Sequence, residues 1–363
     1  MGPDLGEGPP TSESHAEYPF ATKSRLREAR FGVGDNRRRH DYGTADELAD
    51  HVGASLGHVE LYAGLLSARS VFDDTLMMTT VLACPVCDAE LTIGATAATC
   101  PHTHTFDRAR SGYLNLLLSN KKQSAEPGDS PAMMHSRRTF LQGGFYDQMA
   151  AAANAAVAEI LAGRKETHVA DLGCGEGFFT ARLQHTLSAT MSPAHTCYGV
   201  DISRPGVKMA TAYDREITWI VASLHRSPFR PRSLDVVLSM FAPIDAADVR
   251  RIVRDDGALV TVTPGPDHLD ALRIIIYTSV KPHPQTPALM AGATPFERTE
   301  STRVRYPIVV DSAAQIMNLL AMTPYYWNIN RATKAHIEAL SRLELTVDAY
   351  VNVFRPRLWQ REP

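Results

Sequence analysis

The stretch Val169-Ala-Asp-Leu-Gly-Cys-Gly-Glu-Gly-Phe-Phe-Thr180 decides the fold of most of the chain, because it combines a strand, a glycine-rich turn and the start of a helix. Gly173, Gly175 and Gly177 allow the backbone to adopt positive φ and to come close to a ligand. Turns of this kind lie at the carboxyl edge of a parallel sheet and bind nucleotides there. We therefore predict a nucleotide-type cofactor site at this turn.

Two classes of cofactor site use such a turn, and the glycine spacing distinguishes them. The dinucleotide-binding pattern is Gly-x-Gly-x-x-Gly, whereas here the third glycine comes one residue early and Asp171 ends the preceding strand. The form Asp-x-Gly-x-Gly-x-Gly resembles motif I of class I methyltransferases, whose pocket receives a methionine moiety instead of a diphosphate. Asp201 ends the next predicted strand and is suited to bind both ribose hydroxyls of the cofactor.

The sequence around this motif alternates short β runs with helical runs, which predicts βαβ units and a parallel sheet. The predicted strands are Val169–Leu172, Tyr198–Asp201, Thr218–Ala222, Val236–Ser239 and Ala258–Thr263. Two later β-rich stretches, Val304–Val309 and Ala349–Phe354, are predicted to close the sheet. The alternation predicts the α/β fold class, and the resemblance of the glycine motif to motif I implies a Rossmann-like class I methyltransferase domain that depends on S-adenosylmethionine (SAM).

A second motif precedes this domain and has the spacing of a metal site. Cys84-Pro-Val-Cys87 is followed by Cys100 and then, after three residues, by His104. Three thiolates and one imidazole suit tetrahedral Zn²⁺, and four protein ligands leave no open position, so the predicted site is structural. Clustering of three of the five cysteines disfavours a disulfide framework. His102 is the alternative fourth ligand.

The chain is predicted to have four segments. They are a low-complexity, disordered arm at residues 1–78, a small zinc-binding domain at 79–118, a linker with helices at 119–165 and the methyltransferase domain at 166–363. The arm begins rich in Gly, Pro, Ser and Glu, and we expect that translation can also start at Met77 or Met78. In the linker, Pro127–Ser130 predicts a turn, with one helix from about Pro131 and a second through Met149 to Leu161.

Composition restricts the function without identifying it. The chain has 363 residues and a formal net charge of -3, which argues against a histone-like or wholly basic RNA-binding protein but leaves local basic patches open. We find no secretory segment near Met1 and no apolar run long enough to cross a bilayer. We expect a cytoplasmic protein with no membrane partner.

Many short motifs in one order, from Leu82 to Gln360, resemble the 23S ribosomal RNA guanine-N1 methyltransferases. This RlmA-type family includes macrolide-resistance members from antibiotic producers. The matching stretches are Cys84–Cys87, Cys100–Asp107, Gly112–Leu116, Pro127–Ser130, Met133–Arg138, Asp171–Gly177, Phe241–Pro243, Thr263–Leu269, Met322–Pro324 and Trp359–Arg361. The N-terminal arm and the Arg254-Asp-Asp-Gly257 turn depart from the family pattern.

The resemblance implies roles for particular residues. The zinc ligands would be Cys84, Cys87, Cys100 and His104, and the SAM site would be lined by Tyr146, Gly175, Glu176, Asp201 and His268, beside Gly173 of the glycine turn. The substrate would be a guanine in a domain II hairpin of 23S rRNA, and the enzyme would be a homodimer. The Ala- and Arg-rich composition suggests an actinobacterial source, which would fit tylosin-type resistance.

The sequence does not identify the residue that assists removal of the N1 proton. Guanine N1 must lose its proton, which a general base or a donor that stabilises the O6 anion would assist. His225 and Tyr277 are candidates for the base. Asp235 is predicted to lie on the solvent side of its strand. Phe241 is predicted either to stack on cofactor or guanine or to pack in the core, and the run Tyr325-Tyr326-Trp327 either to stack bases or to be core.

Contacts to RNA phosphates are predicted between the two domains. The candidate residues are Arg108, Arg110, Lys121, Lys122, Arg137 and Arg138. Two other functions remain open at this stage. One is a small-molecule methyltransferase of an antibiotic pathway, and the other is a binding protein that has the methyltransferase fold without its activity.

Overall fold

The computed structural model describes residues 78–118, 127–190, 194–277 and 295–357. The predicted arm up to residue 77, Lys121, Lys122 and the Trp359–Arg361 motif lie outside these residues. The first strand begins at Met78, at the end of the predicted arm.

A small antiparallel sheet carries the Cys/His motif. Its strands β1 (Met78–Ala83), β2 (Glu90–Ile93), β3 (Ala97–Thr99) and β4 (Thr105–Asp107) pair in that order. One apolar side chain of each strand points to the same side and is buried, and these are Leu82, Leu91, Ala98 and Phe106. A sheet of this size buries little apolar area by itself, so a metal ion and contact with the larger domain are expected to stabilise it.

The larger sheet has eight strands within the described residues, in the order β11-β12-β10-β9-β6-β7-β8-β5. The strands are β5 (Leu114–Asn115), β6 (Glu166–Leu172), β7 (Ala194–Asp201), β8 (Thr218–Val221), β9 (Leu234–Met240), β10 (Val253–Pro264), β11 (Phe296–Val310) and β12 (Leu343–Pro356). Strands β5 to β10 pair in parallel, and β12 pairs antiparallel with both β10 and β11. The predicted α/β sheet and its closure by the two later β stretches are confirmed.

Helices cover both faces of this sheet. They are α1 (Pro131–Leu141), α2 (Asp147–Leu161), α3 (Phe178–Thr190), α4 (Arg204–Ala210), α5 (Ala246–Ile252), α6 (Asp270–Ile276), α7 (Ala313–Ala321) and α8 (Arg331–Glu338), with a 3-10 helix at Pro324–Asn328. The start of α1 follows local rules, since Pro131 occupies the first turn and the Ser130 hydroxyl accepts from the Met133 N–H. Of the helices that the structure describes, none is long and apolar enough to span a membrane.

Burial on both faces explains why the sequences of the central parallel strands are continuous runs of apolar residues. All seven residues of β9 are buried, as expected of a central strand covered on both faces. On one face a hydrophobic cluster continues from the small sheet into the large one, so that Leu82 and Leu91 belong to the same cluster as Tyr198 and Phe229. The small sheet therefore shares its core with the large sheet.

Backbone pairing joins the two sheets at two places. The Ala83 N–H donates to Pro228 O (2.9 Å) and the Arg230 N–H donates to Val81 O (2.8 Å). Leaving the small sheet, the chain forms β5, which pairs with β8 and becomes the edge strand of the large sheet. Residues on both sides of the Cys/His motif are thus hydrogen bonded to β8 and to the segment that follows it.

The expected solvent-side position of Asp235 is wrong. Asp235 is fully buried near the start of β9, where its carboxylate accepts from Arg164 (2.7 Å), Arg254 (3.0 Å) and the His168 N–H (2.8 Å). These partners satisfy a charge that burial would otherwise make very costly. They lie at the amino-terminal edge of the sheet, opposite the glycine turn, so Asp235 belongs to the framework of the fold.

Candidate metal centre and cofactor site

The structure brings the four predicted metal ligands together. The ligand atoms of Cys84, Cys87, Cys100 and His104 all lie within 4.8 Å of one another. The Sγ atoms of Cys87 and Cys100 are 3.7 Å apart, and His104 Nδ1 is 3.6 Å from Cys84 Sγ and 3.4 Å from Cys100 Sγ. A tetrahedral zinc ion holds such atoms about 3.6–3.8 Å apart, given Zn–S bonds near 2.3 Å and Zn–N bonds near 2.1 Å. The donor set therefore fits Zn²⁺.

His102, the alternative ligand, lies beside this group. Its Nδ1 is 3.3 Å from Cys87 Sγ, but its side chain is exposed, whereas His104 is partly buried and approaches two thiols. The geometry favours His104 as the fourth ligand. His102 is placed to donate a hydrogen bond to the Cys87 thiolate, a contact that orients a metal-bound sulfur without replacing it.

The glycine turn lies at the carboxyl edge of the large sheet, between β6 and α3. Gly173 has φ 90°, and its N–H donates to Val200 O (2.8 Å). A Cβ at Gly173 would lie only 2.2 Å from Ala242 Cβ in the loop after β9. The turn therefore needs glycine both for its backbone conformation and for close contact with that loop.

Asp201 ends β7 next to this turn. Its Oδ2 accepts from the Gly175 N–H (2.8 Å) and its Oδ1 accepts from the Ser203 N–H (2.7 Å). Burial raises the pKa of this carboxyl group, and the two N–H donors oppose the shift. Asp201 is therefore held in one orientation at the sheet edge, where the sequence analysis expected an acceptor for ribose hydroxyls.

Arg137 and Arg138 of α1 contact the glycine turn, and their predicted role in holding RNA stays a prediction. Arg137 Nη1 lies 3.1 Å from where a Gly175 Cβ would be, and its Nη2 contacts Asp129 Oδ2 (2.5 Å). Arg138 donates to Glu176 Oε2 (3.3 Å) and to Met209 O (2.9 Å). Both guanidinium groups connect the linker helix to the cofactor turn.

The Glu176 side chain is packed behind the turn. It is 1% exposed, and its Oε2 accepts from both Arg138 and the Tyr213 hydroxyl (3.1 Å). Burial raises the pKa of Glu176, and the Arg138 charge acts against that shift. In this arrangement the Glu176 carboxylate supports the turn from its buried side, through Arg138 and Tyr213.

Tyr146 and His268 form a buried polar pair on the other side of the sheet edge. His268 Nδ1 accepts from the Asp348 N–H (3.3 Å), so the proton of the neutral ring lies on Nε2, which donates to the Tyr146 hydroxyl (3.3 Å). Burial raises the pKa of Tyr146, so its hydroxyl stays protonated. The structure thus brings together two residues that are far apart in the sequence and that the resemblance assigned to one pocket.

Sequence reasoning missed the residues that hold His268 in place. Asp348 is fully buried, accepts from the Asp267 N–H (2.9 Å), and pairs with Arg303 through contacts of 2.8 Å to each carboxylate oxygen. Burial alone would raise the pKa of Asp348, but Arg303 and this N–H keep it below its usual range. Gly265 allows the approach, since a Cβ there would lie 2.3 Å from the carboxylate. The sequence carries no periodic signal for such a pair on neighbouring strands.

The two candidate bases follow different elements of the fold, β8 and α6. His225 is 88% exposed in the loop after β8, with Nδ1 3.8 Å from Asp245 Oδ2. Tyr277 makes an edge contact with Tyr325, with ring centroids 5.9 Å apart. Arg108 and Arg110 beside the metal cluster are exposed and remain candidates for phosphate contacts.

Known protein families match both the Cys/His ribbon and the cofactor domain of the chain. The zinc-ribbon family described as "RlmA, N-terminal" matches residues 82–125, and the family described as "Methyltransferase domain" matches residues 169–257. A Bacillus subtilis protein, YxjB, provisionally named a 23S rRNA (guanine-N1)-methyltransferase, is 32% identical over 73% of this chain and 93% of its own length. A Micromonospora griseorubida protein with the same provisional name is 30% identical over 76% and 97%. The 23S rRNA (guanine(748)-N(1))-methyltransferase of Streptomyces fradiae is 31% identical over 68% of this chain and 86% of its own.

Proposed function

The chain belongs to the RlmA-type family of 23S rRNA (guanine-N1)-methyltransferases, and from this we propose that it methylates N1 of a guanine in a domain II hairpin of 23S rRNA. One observation carries the proposal. Family models match both the Cys/His ribbon and the cofactor domain, and these two parts share one hydrophobic core and paired backbone segments. Its cofactors are SAM and a structural zinc ion.

We assign the cofactor site to the carboxyl edge of the large sheet. SAM, when bound there, supplies the electrophilic methyl group. Asp201 would accept hydrogen bonds from the ribose hydroxyls, and the backbone at Gly173, Gly175 and Glu176 would line the cofactor. Tyr146 and His268 would close the other side of the pocket. The buried surroundings exclude water and hold each dipole in advance, which favours transfer to the incoming base.

The zinc ion would have no chemical step. Cys84, Cys87, Cys100 and His104 occupy its four positions and leave none for a substrate. Its role would be to hold the ribbon against the segment after β8. Arg108 and Arg110 are exposed on the ribbon and would reach RNA phosphates from there.

The first test is methyl transfer from labelled SAM to protein-free large-subunit RNA that lacks its native modifications, with the product mapped by primer extension. We expect one stop at one guanine of the domain II hairpin. Asp201→Ala should abolish the stop, because removing two charge-assisted hydrogen bonds weakens SAM binding by on the order of 100-fold. Intact SAM binding with no transfer to this RNA would instead favour a small-molecule substrate.

The proposed consequence for resistance is tested separately. A sensitive bacterial strain that expresses the chain should grow at higher tylosin concentration than the same strain expressing Asp201→Ala. Equal inhibitory concentrations would argue for a housekeeping modification. The homodimer implied by the resemblance stays a prediction, for which sedimentation of the purified chain gives the mass.

A further inference from the structure

Phe241 is an exposed aromatic residue at the carboxyl edge of the sheet, next to the proposed cofactor site. It directly follows β9 and is 40% exposed, although its neighbours in β9 are buried. The next residue, Ala242, lies in the closest contact with the glycine turn. The ring of Phe241 is therefore presented beside the position where the methyl group of SAM is expected.

The backbone of Phe241 is held in an unfavourable conformation. Its φ is 55°, in the left-handed region that bulky residues rarely adopt. The strand ladder keeps it there, because the Phe241 N–H donates to Val262 O (3.0 Å) and Ala242 O accepts from the Ser239 hydroxyl (3.2 Å). A strained residue of this kind persists when the surrounding structure fixes it, and such residues concentrate at functional sites.

One face of the ring is already covered. Phe241 stacks on His268, with ring centroids 5.5 Å apart and an interplanar angle of 29°, and it lies 6.4 Å from the ring of Tyr146. His268 is itself fixed by the Asp348 N–H and the Tyr146 hydroxyl. Since the stack shields one face, the exposed area belongs to the opposite face and the edge of the ring.

We propose that the open face of Phe241 stacks on the target guanine after the base has left its helix. The inference rests on the proposed function and identifies the residue that presents the purine to the cofactor. An open aromatic face next to the methyl donor suits a flat base that is unstacked from its neighbours. The contacts with His268 and Tyr146 hold the Phe241 ring in this orientation.

Neither a purely structural role nor a cofactor contact accounts for these observations as well. A core residue would not leave 40% of its surface exposed or need a strained φ. The ring is far more exposed than the two rings it contacts, since Tyr146 is 3% and His268 is 6% exposed. Phe241 is therefore the member of this aromatic group that an incoming base can reach.

The test compares Phe241→Leu and Phe241→Tyr in the full chain, with zinc bound, on a hairpin RNA that contains the target guanine. Leucine keeps an apolar side chain but has no ring, so kcat/KM for RNA should fall about 10- to 100-fold. Tyrosine keeps the ring and should retain activity within about threefold of wild type. SAM affinity measured by calorimetry should stay within about twofold in both variants.

Two further variants separate stacking from structure. Phe241→Gly relieves the positive φ, so its thermal midpoint should be equal to or above that of wild type while transfer is lost. Val309→Ala removes a side chain of equal exposure from β11, the outer strand of the sheet, and should leave transfer unchanged. A strongly lowered thermal midpoint for Phe241→Gly would assign the ring to the core and overturn the proposal.

The remaining outcomes are also decisive. Wild-type kcat/KM in Phe241→Leu would overturn the stacking while leaving guanine methylation intact. A large loss of SAM affinity in Phe241→Leu would assign the ring to the cofactor and also overturn it. No transfer by the wild-type chain to any RNA would overturn the proposed function, and the stacking inference with it.

Discussion

The metal centre takes its ligands from one short segment, Cys84 to His104, whereas the cofactor edge is assembled from residues that lie between Asp129 and Asp348. The two regions also differ in how charge is compensated. The thiolates would be neutralised by a zinc ion, which contributes directly to folding. At the cofactor edge, burial raises the pKa of Asp171, Glu176 and Asp201, so these carboxylates oppose folding when ionised.

This difference indicates where the chain gains stability and where it gives stability up. A zinc ion would stabilise the ribbon, whereas the cofactor edge carries buried carboxylates and a strained Phe241. The backbone pairing between Val81–Ala83 and the segment after β8 connects the two regions. The predictions below test each side of this contrast, beginning with the largest expected effect.

Removal of zinc should have the largest effect. Chelation, or the substitution Cys87→Ser, removes binding free energy of on the order of 10 kcal/mol from a segment with little core of its own. We expect β1 to β4 to lose protection in amide hydrogen exchange. SAM affinity should also fall, because β5 and the Val81–Ala83 segment pair with β8 and the loop after it.

A matched control removes a thiol outside the cluster. Cys197 is buried in β7, so Cys197→Ala should keep one zinc ion per chain and the exchange pattern of the ribbon. If the ribbon stays protected in chelated protein, zinc is not what stabilises this region and the contrast fails.

Asp171→Asn should stabilise the protein in a pH-dependent way. Asp171 is 2% exposed, and burial raises its pKa to about 7. In the native state the group therefore holds its proton between its usual pKa and about pH 7, while the unfolded chain has released it. The contribution of Asp171 to the free energy of unfolding is therefore largest at low pH. It is lost as the pH rises through this window, by at most about 4 kcal/mol.

The asparagine variant keeps an acceptor for the Thr180 hydroxyl, which donates to Asp171 (2.6 Å), and it carries no charge. Its gain in unfolding free energy over wild type, measured by urea titration, should be larger at pH 8 than at pH 5. Asp311→Asn, at an exposed position directly after β11, serves as the comparison. An equal gain at both pH values would contradict the burial argument.

Arg303→Met should destabilise the loop that carries His268. The substitution leaves the fully buried Asp348 without its bidentate partner, which costs about 2 kcal/mol, less than for a fully buried pair because Arg303 is partly exposed. SAM affinity should fall several-fold with it, since Asp348 supports the Asp267 N–H and lies beside His268. Arg298→Met, an exposed residue of the same strand, should change neither.

The regions differ in how much of them the sequence could predict. Cys84, Cys87 and Cys100 were predictable from their spacing, whereas the spacing left His102 and His104 as alternatives and the family resemblance favoured His104. Asp201 was predictable because the ends of neighbouring parallel strands meet at one edge. The pairing of Asp348 with Arg303 depends on the register of β11 against β12, which no local pattern encodes. Asp235 was misplaced because its partners Arg164 and Arg254 come from distant parts of the sequence, which no local pattern brings together.

The smallest expected effect distinguishes the two histidines of the ribbon. His104→Ala should reduce zinc content and ribbon protection, because its Nδ1 lies 3.6 Å from one thiol and 3.4 Å from another. His102→Ala should keep one zinc ion per chain and cost about 1 kcal/mol or less, since an exposed imidazole can contribute only a hydrogen bond to the Cys87 thiolate. Elemental analysis of the two purified variants decides the matter. Loss of zinc from His102→Ala but not from His104→Ala would make the exposed His102 the fourth zinc ligand in place of His104.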